Sequence, residues 1–153
     1  MKYYADTGFL LSLHLQETTS AAAAAVMQTV TEPLPVTPLV ALEFRNALRL
    51  AVFRQTITEA QRAAAWTSFG QDIAHGALEL TAADAAAVYA EAESLCDQFT
   101  GTTGVRTLDL LHVAFGRILG RTEFLSFDKR QRSLAALAGL TALPCLAGDR
   151  EVQ

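Results

Sequence analysis

Lys2-Tyr3-Tyr4-Ala5-Asp6, at the start of the chain, is a short apolar run that stops on an acid. Aromatic residues suit a pleated, buried surface, so the run reads as a strand that ends at Asp6. The arrangement recurs far along the chain, where Glu123-Phe124-Leu125-Ser126-Phe127 leads into Asp128. In an α/β sheet the carboxyl ends of strands open onto the crevice where ligands bind, so the two acids are the first candidates for a site.

Working outward, the segments beside and between these strands are helical in pattern. After Asp6 a helix carries Phe9, Leu10, Leu13 and His14, and a second runs from about Glu17 through the alanines to Val30. Glu32-Pro33-Leu34-Pro35 breaks it, and Val36 marks a very short strand. Thr37-Pro38 supplies a side-chain cap followed by proline at the first helical position. The helix to about Arg54 then has Leu39, Leu42, Ala47, Leu50 and Phe53 at core-facing spacings. Thr58-Glu59-Ala60-Gln61 is a capping box for a helix to His75, and Ala77-Leu78-Glu79-Leu80 alternates like a strand. Thr81-Ala82-Ala83-Asp84 is a second capping-type start, for a helix through Val88, Ala92 and Leu95, and Gly101-Thr102-Thr103-Gly104 reads as a loop. Helices from Thr107 to Leu119 and from Lys129 to about Ala138 follow, with a last strand at Thr141-Ala142-Leu143. Short strands alternating with helices imply a parallel sheet covered on both faces.

The chain has 153 residues, 51% hydrophobic and 18% charged, which fits one globular domain spanning 1–153 with a proper core. Its formal net charge is −4, which argues against a broad basic surface holding nucleic acid through many phosphates. A nuclease stays open, because catalytic acids themselves lower the isoelectric point. Cys96 and Cys145 fit no metal-ligand spacing and read as buried, reduced thiols in a cytoplasmic protein. Lys2, Phe9-Leu10-Leu11 and the alanines from Ala21 to Ala25 imitate a signal peptide. Asp6 and His14 interrupt that apolar region, however, and a strand leading into an amphipathic helix uses every residue. No apolar run approaches the roughly 20 residues of a membrane span.

Two further acids lie on helical segments, Glu43 in Leu39-Val40-Ala41-Leu42-Glu43-Phe44 and Asp109 in Thr107-Leu108-Asp109-Leu110-Leu111. Each acid has a purely structural reading beside a functional one. Asp6 and Asp128 stand where helix caps belong, and Asp109 falls in a first turn, where the helix dipole favours an anion. Glu43 lies among apolar neighbours, and its i±3 and i±4 positions hold no cation. A carboxylate there needs a partner, and a hard divalent cation shared with other acids is one candidate. His112 shares a helix face with Asp109 but equally suits packing, as does His14. No partnered Ser or Cys nucleophile and no Gly-rich phosphate loop is visible.

With these residues in place, the chain resembles the PIN-domain ribonucleases, and within them the toxins of VapC type. Tyr4-Ala5-Asp6-Thr7 resembles the family's opening strand and first acid, and Glu43-Phe44-Arg45-Asn46-Ala47-Leu48 its helix with Glu and Asn. Arg106 through Ala114 is similar to the third motif, and Phe124 through Arg130 to the fourth. Gly8 departs from the pattern, since the family often carries a small polar residue there. The resemblance implies a three-layer α/β/α domain with a short, mostly parallel central sheet. It also implies Mg²⁺ or Mn²⁺ held by Asp6, Glu43 and Asp109, with Asp128 assisting, and hydrolysis of RNA phosphodiester bonds. A small antitoxin partner and a homodimer come with it. Arg106, Lys129, Arg130 and Arg132 are the candidates for contacts to RNA phosphates, or else solvated surface. Two other readings stay open: a catalytically silent PIN-fold binding module, and an RNA-processing PIN nuclease outside any toxin pair. A haloacid-dehalogenase-type phosphatase also places Asp after its first strand, but it needs a second Asp where this chain has Gly8.

Overall fold

A computed structural model describes residues 1–146; residues 147–153, which the single-domain reading includes, lie outside the described residues. The chain forms two compact units, one of Met1–Tyr4 with the chain from Ala83 onward, the other Ala5–Ala82.

In the first unit, β4 (Glu123–Leu125) lies between β1 (Tyr3–Ala5, whose last residue begins the other unit) and β5 (Thr141–Leu143). β4 and β5 are parallel, with Phe124 opposite Ala142. All of β4 is buried, as expected of a strand covered on both faces. Helices α5 (Ala85–Leu95) and α7 (Thr107–Ile118) pack on each other, and α8 (Lys129–Leu137) packs on α7. α7 passes close to β1 at Gly116, where a Cβ would stand 3.6 Å from Tyr4 Cβ. The core gathers Tyr4, Val88, Leu95, Val113, Phe124 and Leu134, with the Tyr4 and Phe124 rings stacked at 5.6 Å.

In the second unit, β2 (Leu34–Val36) pairs in parallel with β3 (Leu78–Leu80). Around it stand α1 (Thr7–His14), α2 (Ser20–Met27), α3 (Pro38–Phe53) and α4 (Glu59–Ala74). Two of the expected caps form: Thr37 Oγ1 accepts from Val40 N, and Thr58 and Gln61 close a reciprocal capping box. The start expected at Thr81 moves to Asp84, whose Oδ1 accepts from Ala86 N, because the Thr81 hydroxyl donates to the Glu79 carbonyl instead. Phe44 and Phe69 stack at 4.3 Å where α3 meets α4. None of the described helices is long and apolar enough to cross a membrane.

Three expectations are corrected. The inward stripe of α3 is Val40, Phe44 and Leu48, whereas Leu42 and Phe53 are 67% and 83% exposed and Leu50 is exposed too. α3 carries apolar residues on more than one side, so spacing alone offers two stripes, and the one that meets α1 and α4 is the buried one. The segment Gly101–Gly104 is not a plain loop: α5 continues through a π-helical turn, Cys96–Thr100, into a helical turn α6, Gly101–Thr103. The hydroxyls of Thr102 and Thr103 bond back to the Phe99 carbonyl, and Gly104 ends the turn at φ +63°. Cys96 and Cys145 are free thiols, but both are exposed; residue type predicts burial only on average.

His14 closes α1 inside the second unit, with its side chain 1% exposed. Its ring meets Phe44 and Phe69 edge-on, and Nδ1 shares a hydrogen bond with Ser68 Oγ at 3.2 Å. Burial lowers its pKa below the ordinary 6.5, and Asp72, 3.5 Å from Nε2, offsets part of that. Because the folded value is depressed, the unfolded chain binds the proton first as pH falls. Stability is therefore full above pH 6.5 and declines from there down to the folded pKa. Urea unfolding at pH 7.5 and 5.5 is expected to show a larger loss for the wild type than for His14→Gln. Equal losses would exclude this contribution from His14.

Candidate functional site

Asp6 follows β1 and caps α1, its Oδ1 accepting from Phe9 N at 2.6 Å with the residue only 2% exposed. The next residue, Thr7, is also buried, and its Oγ1 donates to Glu43 Oε2 at 2.7 Å. This bond ties the helix-interior acid of α3 to the residue beside Asp6, within the second unit. Glu43 is half-buried beside the inward stripe, and the Thr7 hydroxyl answers its need for a partner. Gly8 stands over the same carboxylate: a Cβ there would lie 3.5 Å from Asp6 Oδ1, in ordinary contact. A small polar residue would fit, so no backbone demand accounts for the glycine.

In the first unit, Asp109 is the third residue of α7, and its Oδ2 accepts from Arg106 N at 2.9 Å. It is 7% exposed. Asp128 is exposed and caps α8, its Oδ1 accepting from Arg130 N and Gln131 N at 2.8 and 3.1 Å. Its own N–H donates to Oγ of fully buried Ser126 at 3.0 Å. The capping readings of Asp6 and Asp128 are thus realised. All three aspartates stand at helix N-termini, where the backbone N–H groups favour negative charge.

Arg106, Lys129 and Arg130 lie exposed at the starts of α7 and α8. Arg132 does not join them as a phosphate contact or as solvated surface, because it is 3% exposed. Its Nη1 and Nη2 donate at 2.6 Å to the carbonyls of Ser126 and Pro144, tying the segment after β4 to the one after β5. The sequence placed it one turn from Lys129 on a charged helix and held no sign that the guanidinium turns inward. Arg132→Ala is expected to cost more than about 2 kcal/mol, since two charge-assisted bonds to carbonyls are lost. Arg130→Ala stays within about 0.5 kcal/mol. Denaturant midpoints check both, and equal small losses would refute the structural role of Arg132.

Of the histidines, His112 sits in the core, its Nδ1 3.1 Å from Tyr4 Oη, and His75 is exposed at the end of α4. Among the described residues, no three His, Cys, Asp or Glu side chains form a group able to hold a metal ion. What the structure assembles is Asp6 with Glu43 through Thr7, and Asp128 with Ser126. Thr7 and Ser126 are the residues to which the sequence reading gave no role. Their signal is slight: a hydroxyl directly after the first acid, and one two positions before the last.

A family model of the PIN domain matches residues 3–137. No curated protein matches the chain by sequence. Several solved structures are similar. VapC20 of Mycobacterium tuberculosis, described as a Sarcin-Ricin loop cleaving toxin, is 13% identical with a TM-score of 0.62, covering 93% of this chain and 99% of that one. FitAcB of Neisseria gonorrhoeae is 11% identical with a TM-score of 0.64 over 93% and 96%. VapBC2 of Rickettsia felis, solved with a DNA fragment from its promoter, is 12% identical with a TM-score of 0.65 over 94% and 98%. At these identities the likeness is one of fold.

Proposed function

Since the chain belongs to the PIN-domain family, of α/β/α fold, we propose that it is a metal-dependent endoribonuclease, the toxin of a toxin–antitoxin pair. The observation that carries this reading is the buried Asp6 joined to Glu43 through Thr7. A half-buried helix-interior carboxylate anchored by the hydroxyl next to a buried acid keeps two sets of oxygen donors in one unit, which suits a hard cation. The similar VapC20, described as a toxin that cleaves the Sarcin-Ricin loop, supports the choice of RNA. The proposed setting is cytoplasmic, with a small antitoxin as partner and a homodimer as the assembly.

Asp6, Glu43, Asp109 and Asp128 are the proposed ligands of Mg²⁺ or Mn²⁺. The donor set fits in its chemistry: all are carboxylates, the oxygen donors these hard cations take. His112 and His14 are engaged in packing elsewhere. When bound, the metal supplies a water of lowered pKa and positive charge toward the scissile phosphate. The chain's own part is to hold the donors in place. Thr7 fixes one Glu43 oxygen, the Phe9 N–H fixes Asp6, the Arg106 N–H fixes Asp109, and Ser126 with two helix N–H groups fixes Asp128. Exposed Arg106, Lys129 and Arg130 are the proposed phosphate contacts.

One observation favours a second reading, the catalytically silent binding module: no group of three donors is assembled among the described residues. Cleavage of a structured RNA panel by partner-free protein separates the two, in Mg²⁺ or Mn²⁺ and with EDTA as control. Metal-dependent cleavage establishes the ribonuclease. Absence of both cleavage and Mn²⁺ binding by calorimetry would leave the silent module. An adjacent small reading frame whose product suppresses cleavage marks the toxin pair, and its absence points to an RNA-processing nuclease.

A further inference from the structure

The second unit holds a cationic pocket that the proposed metal ligands do not use. Arg45 and Arg49 on α3 line it with Arg62 and Trp66 on α4, around a cavity of about 320 Å³. Arg45 and Arg49 are like charges at i and i+4, an arrangement that by itself destabilises a helix. Arg62 Nε pairs with Glu59 at 2.7 Å. Arg45 and Arg49 have no ion-pair partner among the described residues. Three guanidinium groups therefore meet one carboxylate, in a chain whose formal net charge is −4. Such a local excess attracts anions to this face.

Stacking narrows the class of ligand. Phe44 stacks on Phe69 and Phe69 on Trp66, at 4.3 and 5.8 Å between ring centroids. The Arg45 guanidinium covers the Trp66 ring, its Cζ 4.7 Å from the centroid. The series thus ends in a planar cation seated on a rigid aromatic base. Nucleobases stack on guanidinium planes of this kind, and single strands are held where such a platform adjoins other cations. A purely acidic peptide such as poly-glutamate supplies the charge but no aromatic ring to stack on the platform.

We propose that Arg45, Arg49, Arg62 and Trp66 form a holding site for single-stranded RNA apart from the proposed metal ligands, with a base stacked on Arg45 and the flanking phosphates on Arg49 and Arg62. The choice of RNA over another single strand rests on the ribonuclease reading.

Trp66 is the only tryptophan in the chain, so its fluorescence reports on this pocket directly. The full chain in EDTA is titrated with a short 2′-O-methyl RNA, which is not cleaved, and in parallel with poly-glutamate. Saturable quenching by the RNA is expected. Arg49→Ala, at an exposed position, is expected to weaken binding about tenfold and to reduce the salt slope by about one. Unchanged thermal melting of that variant shows that the fold is retained. No quenching, or quenching insensitive to Arg49→Ala, overturns the proposal, and so does poly-glutamate binding as tightly as RNA. The two readings fail separately. Cleavage without Arg49-dependent quenching removes this pocket and keeps the ribonuclease. Arg49-dependent quenching by a chain that neither cleaves the RNA panel nor binds Mn²⁺ keeps the pocket and removes the ribonuclease.

Discussion

Asp109→Asn is expected to leave the fold intact and to reduce RNA cleavage by more than about a hundredfold. The basis for the first half is local geometry. Asp109 uses Oδ2 to accept the Arg106 N–H at 2.9 Å, and an asparagine amide oxygen accepts the same bond in the same space. The second half follows from charge: the amide removes a negative ligand from the proposed Mg²⁺ or Mn²⁺ set. Changing groups that merely support metal ligands already costs about 10- to 100-fold, so loss of a ligand costs more. Thermal melting tests the fold, and cleavage at saturating Mn²⁺ tests the activity. Turnover like that of the wild type would remove Asp109 from the site.

Phe44→Ala is expected to destabilise the protein by about 3–5 kcal/mol. Phe44 is fully buried, stacked on Phe69, and approached edge-on by His14 at 5.4 Å. Truncation leaves a cavity lined by rigid rings, which collapse poorly into it. Total stabilities of about 5–15 kcal/mol make this a large share of the whole. Phe44→Leu, which retains most of the volume, is expected to recover part of the loss. Urea denaturation measures both, and a loss below about 1 kcal/mol for Phe44→Ala would mean that α3 and α4 are not joined through this stack. The residue before it is Glu43, so the same variant is expected to weaken any Mn²⁺ binding that depends on Glu43.

Much of the architecture was legible because it is written in local chemistry. Thr37-Pro38 and the Thr58 capping box mark helix starts through side chains that bond backbone N–H groups three residues away. The strand ending at Ala5 and the one that opens at Glu123 were visible as short apolar runs followed by acids, although the second ends at Leu125 and not at Phe127. The loop at Gly101–Gly104 was misread because two glycines suggest irregular backbone, while Thr102 and Thr103 bond back to Phe99 and close a helical turn. Burial of the cysteines was misjudged because residue type predicts burial only on average. The candidate acids were all named from the sequence, yet it gave no role to the hydroxyls that hold Glu43 and the Asp128 N–H.

By itself the sequence determined the order of the strands and of all the longer helices, most of their caps, and which acids stand at their ends. Each of these depends on contacts within a turn of chain. Only the tertiary structure decided which stripe of α3 faces inward. It alone set Thr7 on Glu43, 36 positions away, turned Arg132 toward two carbonyls and gathered three arginines around Trp66. These follow from which surfaces of separate elements meet, and that choice minimises exposed apolar area and unpaired polar groups over a whole packed unit. No short window of sequence carries that sum.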